Sequence, residues 1–377
     1  HLCQTLFRGY VEQVGLGNWL ARVWNLEAAH NESSMYYSAL LGCCELLKSG
    51  TTCVLDMGSV HHEDQVFRAL SESSMRALAG KAMMDCGDNV PAGLRESTRG
   101  SLDETFNLIS RWHRANGDRI RYSPAPRFME SCSEELLKTV GEKARELGLL
   151  IHTHASETQD ELSSCIDAHG MSPIAFLDSI RLTGEDVVLA HCVHLGDGDF
   201  EILGRTKTRV AHCPSSNLKL SSGIADVGRL LRSGTKISIG CDGAPCNNNL
   251  DMIWEMRLAA LLQRYLNPNG FQWAQAFLEA ATLGGATALG LGDAAGSLEP
   301  GKKADVIAID ASGAHAFSGD SADPASRIVF SSKSSDVKVV IVNGDVLVEN
   351  GRLTTLDEDE IVAKSSSELE KLVRRSN

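Results

Sequence analysis

GLLIHTHASE, residues 148–157, starts as an apolar run and ends on two histidines and a glutamate. A short apolar run bounded by glycine reads as a buried strand. Side chains alternate along a strand, so His152 and His154 share one face and Glu157 lies just past the C-terminal end. The preceding segment, SEELLKTVGEKAREL, predicts an amphipathic helix. Ser133 caps it, Glu134 and Glu135 suit its positive end, and Leu136, Leu137, Val140, Ala144 and Leu147 form the apolar face.

The same unit recurs on both sides. TTCVLDMG (51–58), ALAGKAMMD (77–85), IRYSPAPR (120–127), DVVLAHCVH (186–194), TRVAHCP (208–214) and TKISIGCDG (235–243) are further strand candidates, giving seven in all. Continuous apolar strands separated by amphipathic helices predict a parallel sheet covered on its faces. A closed barrel needs eight such units. The count closes if another strand ends at His1, so the expected α/β fold is a (β/α)8 TIM barrel with strand 1 mostly missing ahead of that residue. After GCDG come two helical stretches, 251–265 and 272–290, and then a change of texture. GSLEPGKKADVIAID and DVKVVIVNGDVLVENGRL read as hairpin strands. The expected division is a barrel over 1–293, a small C-terminal β-rich domain, a partial β-sandwich, over 294–357, and a C-terminal helix over 358–377.

Composition narrows the function. The net charge of −13 and the lack of a dense basic run argue against a nucleic-acid partner. Eleven cysteines, many inside apolar runs and none in a Cys-x-x-Cys pair, read as buried reduced thiols of a cytoplasmic protein. No segment reads as a signal peptide or membrane span, so a small-molecule substrate is expected.

Barrel strands deliver their chemistry at their C-terminal ends. These ends carry His152, His154 and Glu157, then His191 and His194, then His212, then Asp242, with His1 completing the ring. Imidazole and carboxylate together suit one zinc ion, with iron as the alternative. SPAPRF offers no lysine that could bridge two metals. Glu157 stands where a proton shuttle belongs. His61, His62 and His113 have no motif around them and read as surface residues.

ELLKSGTT, HTHASETQDE, AHCVHL, AHCPSSNLKLSSG, GCDGAPCNNNLDM and GSLEPGKKADVIAID, in this order, resemble the landmarks of the amidohydrolase superfamily, in its branch of deaminases and triazine hydrolases. The resemblance implies that His1 is the second histidine of a His-x-His pair. It implies His154 and Asp242 as further ligands, His191 as an additional candidate ligand, and Glu157, Asp242 and His191 as the catalytic groups. In that scheme Asp242 accepts a proton from the attacking water. Glu157 protonates the ring and then the departing ammonia, and His191 steadies the developing charge. His152, His194 and His212 are assigned to packing or support, and a homodimer is implied.

Two short features resemble guanine deaminases: Gln4, three residues after His1, and Arg127 with Phe128 in PRFMESCSEELL. An arginine fork matches the carbonyl and ring-nitrogen edge of an oxo-purine. Guanine or a related oxo-purine is therefore the expected substrate. GCDGAPCNNNLDM looks more like adenosylhomocysteine deaminases, so that type, methylthioadenosine, 8-oxoguanine, a pterin or a triazine are alternatives. A catalytically incomplete metal-binding barrel is the alternative outside enzymes. APCNNN lacks the second cysteine of the base-editing zinc deaminases.

Overall fold

The computed structural model describes residues 1–317 and 322–376. All seven expected strands form: Cys53–Met57, Arg76–Gly80, Ile120–Tyr122, Ile151–Ala155, Val187–His191, Arg209–His212 and Ile237–Ile239. The first three pair in parallel, as do the last four. Between the two groups the chain stays continuous in hydrogen bonding. The amide of His152 donates to Pro124 O (3.1 Å) and that of His154 to Arg127 O (3.2 Å). Helices intervene between successive strands, which gives barrel order with the strand ends facing one way.

Local sequence explains each unit. Ser133 Oγ accepts from the Leu136 amide at 3.1 Å, and the helix Glu134–Leu147 ends on Gly148 at φ 65. That left-handed angle is open to glycine without a Cβ penalty. Leu136, Leu137, Val140 and Ala144 are buried as expected, whereas Leu147, the last residue of the helix, is 49% exposed. At the end of Arg76–Gly80 a Cβ on Gly80 would lie 2.0 Å from the Ser123 carbonyl, so only glycine permits that approach.

His1 lies outside any strand. A 3-10 helix, Leu2–Phe7, follows it directly, and the Leu2 amide donates to Asp56 Oδ1 at 2.8 Å. The helix Leu16–Ala28 then crosses the strand ends. Met252–Leu266 is helical, and the second expected stretch divides at Thr282 into Trp273–Ala281 and Leu283–Ala288. Val306–Ile309, Val337–Val342, Asp345–Glu349 and Arg352–Leu353 make an antiparallel sheet, followed by the helix Glu358–Ser376. No helix among the described residues is long and apolar enough to cross a membrane.

A buried ion pair ties this sheet to the barrel. Arg76 donates from Nε (2.6 Å) and Nη2 (2.9 Å) to Asp305, and both side chains are nearly inaccessible. Removing one partner of such a pair strands the other charge in a dry site. Arg76→Ala should therefore lower unfolding free energy by about 3–5 kcal/mol. Urea denaturation measures this, and an unchanged midpoint would show that the pair contributes nothing.

Candidate metal centre and its cleft

His1, just ahead of the first 3-10 helix, His154, in the strand Ile151–Ala155, and Asp242, just past the strand Ile237–Ile239, come together, with one ligand atom from each lying within 4.8 Å of the others. The Nδ1–H of His1 donates to Met57 O (2.6 Å), and that of His154 donates to Arg127 O (2.7 Å). A carbonyl oxygen only accepts, so both Nδ1 atoms carry the hydrogen and both Nε2 atoms present lone pairs. These two Nε2 atoms are 3.3 Å apart, and His1 Nε2 is 3.2 Å from Asp242 Oδ1. Acceptors that converge this closely are suited to a cation between them. Two imidazoles and a carboxylate form a donor set suited to zinc. Burial, with His191 adding to it, lowers the pKa of His154 to about 3, which keeps the ring neutral and able to bind metal.

His191 stands beside this group. Its Nδ1–H donates to Asn217 Oδ1 (2.7 Å), and its Nε2 faces Glu157 Oε2 at 3.7 Å. Burial disfavours a charge on this ring, but Glu157 and Asp242 outweigh it and raise the pKa of His191. Burial raises that of Glu157. Burial would do the same to Asp242, yet His191 and His154 reverse the sign and hold it below the ordinary carboxylate value.

The orienting groups come largely from one segment. Ser216 Oγ donates to Asp242 Oδ2 (2.6 Å), Asn217 meets His191, and Ser222 Oγ donates to Glu157 Oε1 (3.0 Å). All three belong to CPSSNLKLSS, a run whose polar density after an apolar strand is its sequence signal. His152 bonds Ser123 Oγ through Nδ1 (2.9 Å), and His194 donates from Nε2 to Ser222 O (2.7 Å). His212 packs against Phe277 with no polar partner.

A cleft opens from the metal ligands, lined also by Gln4, Arg127 and Phe128. Leu16, Trp19 and Leu20 of the crossing helix form its opposite wall. Phe128 stacks on Trp24, with ring centroids 6.1 Å apart and planes 10° apart.

Glu27 is the site residue that sequence reasoning missed. Its Oε1 accepts from Arg127 Nη1 (3.0 Å) and Ser59 Oγ (2.9 Å), and its Oε2 accepts from Arg127 Nη2 and Gln4 Nε2 (both 3.2 Å). The available signal was a lone glutamate on the apolar stripe Leu20, Val23, Trp24, Glu27. Gln4 is left with Oε1 buried and unpartnered.

The model of the amidohydrolase family matches residues 1–347. A 5'-deoxyadenosine deaminase of Methanothermobacter thermautotrophicus is 40% identical, covering 95% of this chain and 82% of the relative. A 5-methylthioadenosine/S-adenosylhomocysteine deaminase of Pelotomaculum thermopropionicum is 37% identical, covering 100% and 84%. Among solved structures, an adenosine deaminase of Xanthomonas campestris with bound zinc superposes with a TM-score of 0.92 at 28% identity, over 99% of this chain and 84% of that one. This likeness fixes the fold as a (β/α)8-like TIM barrel, and the His1–His154–Asp242 group as a single zinc-type site.

The guanine expectation is corrected. Guanine deaminase of E. coli superposes less well, with a TM-score of 0.81 at 27% identity over 93% of this chain and 82% of that one. The closer relatives are named for adenosine-type substrates. There is a physical reason as well. The Arg127 fork, expected to read an oxo-purine edge, has both Nη atoms on Glu27.

Replacing His154 or Asp242 by alanine should reduce bound zinc far below one equivalent while circular dichroism keeps the wild-type signal. Elemental analysis of the dialysed variants checks this, and full metal content in either would remove that residue from the ligand set.

Proposed function

The chain belongs to the amidohydrolase family, and from that premise we propose that it hydrolytically deaminates an adenosine-type nucleoside, releasing ammonia from the amino-bearing purine carbon. It is a hydrolase of carbon–nitrogen bonds acting on a small heterocycle. The observation that carries the substrate reading is the 40% identity with a 5'-deoxyadenosine deaminase over 95% of the chain, joined to the three-ligand cluster beside Glu157 and His191.

When bound, a zinc-type ion supplies Lewis acidity that brings the pKa of water from 15.7 towards about 7. The chain's own groups do the rest. Asp242, kept ionised by its histidine neighbours and steadied by Ser216 and the Gly243 amide (2.8 Å), accepts the proton of the attacking water. Glu157, whose burial favours the protonated form, gives its proton to the ring nitrogen next to the reacting carbon. A carbon–oxygen bond forms, the carbon–nitrogen bond breaks as ammonia leaves with the proton that Asp242 had taken, relayed through Glu157, and the new hydroxyl returns its proton to Glu157 as the carbon–oxygen double bond forms. His191, oriented by Asn217, holds the proton at Nε2 that faces the developing charge. Phe128 flanks the flat ring, and Gln4, anchored through Nε2, offers Oε1 to a donor on the substrate. Arg127 supports this wall through Glu27 without touching the purine edge.

Ammonia release from 5'-deoxyadenosine and 5'-methylthioadenosine, followed with the zinc-loaded protein, tests the substrate class. Glu157→Gln should lower kcat by ~10²–10⁴ with zinc content unchanged. No ammonia from any adenosine-type nucleoside sinks the substrate reading, and full activity in the glutamine variant sinks the role of Glu157.

A further inference from the structure

Among the buried carboxylates that the proton transfers above do not use, Glu255 stands behind both loops of the metal centre. It lies on the helix Met252–Leu266, is fully enclosed, and is not one of the residues lining the cleft. Its Oε1 accepts from Ser215 Oγ (2.5 Å) and Asn247 Nδ2 (2.9 Å), and its Oε2 accepts from the Ser215 amide (3.2 Å).

Both partners lead to the site. Asn247 ends the short helix Ala244–Asn247, and its Nδ2 also donates to Cys241 O (2.9 Å), one residue before Asp242. Ser215 precedes Ser216, whose Oγ donates to Asp242, and Asn217, which accepts the hydrogen of His191. One carboxylate therefore anchors two things: the backbone on which Asp242 sits at its left-handed φ of 58, and the segment whose side chains aim Asp242 and His191.

The contacts call for a carboxylate. Asn247 Oδ1 is buried without a partner, so the direction of this amide is set by the two acceptors that Nδ2 meets, Glu255 Oε1 and Cys241 O. A glutamine at this position has nearly the same shape but turns one acceptor into a donor. In one orientation its NH2 faces the Ser215 amide. In the other it faces Asn247, whose amide can then turn over and lose Cys241 O. Either way a buried group is left unpaired and one of the two loops is released.

We infer that Glu255 is a positioning residue for the reaction, holding through Asn247 the turn that carries Asp242 and through Ser215 the segment that orients Asp242 and His191. The turnover part of its test rests on the deaminase reading above, and the zinc part does not.

Zinc affinity by chelator competition, with kcat and KM for 5'-deoxyadenosine at saturating zinc, tests this in Glu255→Gln and Asn247→Ala. Burial, with Asp251 adding to it, outweighs the hydrogen bonds from Ser215 and Asn247 and pushes the pKa of Glu255 up to about 7. Measurement at pH 8 keeps it in the acceptor form. Both variants should bind zinc ~10-fold more weakly and lose ~10-fold in kcat, with KM within about twofold of wild type. Arg76→Ala, which breaks a buried pair at the opposite end of its strand, should lose stability with zinc affinity and kcat unchanged. Wild-type zinc affinity and kcat in either folded variant, a rise in KM alone, or the same losses in Arg76→Ala overturns the positioning role. Asn247→Ala leaves Glu255 and Ser215 in place, so it decides even if Glu255→Gln does not fold. No turnover by the wild-type protein overturns the deaminase reading instead, and the zinc affinities still decide the role of Glu255.

Discussion

Two backbone carbonyls, Met57 O and Arg127 O, decide what this site can be. Each takes the Nδ1 hydrogen of a histidine, His1 in one case and His154 in the other, and so forces both Nε2 lone pairs towards the same point. The reverse tautomers would place N–H groups there and close the site to a metal. Both carbonyls lie at strand ends or in the segment that joins one strand to the next. The metal site is therefore a consequence of strand register. The hydrogen bond from the His154 amide to the same Arg127 oxygen holds donor ring and acceptor carbonyl in one frame. A slip of one residue in that pairing would turn His154 to the other face and remove its ligand atom.

Arg127 links the two halves of the site. Its carbonyl orients His154, while its guanidinium, 2% exposed, pairs with Glu27 beneath the crossing helix. A buried carboxylate is tolerable only when its acceptor positions are filled, and Glu27 has two donors on each oxygen. Burial on its own would favour the neutral acid, but the charge and hydrogen bonds of Arg127, with Ser59 and Gln4, hold the pKa of Glu27 below the ordinary value. The wall of the cleft is thus built as one polar unit. Replacing any single member leaves the others short of partners, which is the condition in which buried networks are most costly.

The barrel was legible because its strands are short apolar runs in a sequence whose helices have clear caps and stripes. His154 and Asp242 were legible because they fall at or just past strand ends, with His154 and Glu157 in one ten-residue stretch, whereas His1, which lies outside any strand, was legible through the family resemblance. What could not be read was pairing across distance. Nothing near Arg127 says that its partner lies a hundred residues earlier, on a helix whose apolar stripe happens to include Glu27. The expectation of an oxo-purine failed at that point, since a fork that is free in sequence is occupied in space. Leu147 shows the same limit on a smaller scale: it fits the apolar stripe of its helix, but at the helix's last position it is exposed.

Backbone strain marks the same strand ends. His191 and Asp242 adopt φ values of 74 and 58, and Ser156, between His154 and the helix that follows, has 54. Residues with a Cβ pay of order 1–3 kcal/mol for holding such conformations outside their favoured region. Glycine would adopt these angles freely, but it has no imidazole or carboxylate to offer. The strain is kept where the side chain is needed, and the hydrogen bond that Asn217 accepts from His191 and those that Ser216 and the Gly243 amide donate to Asp242 are placed to offset it.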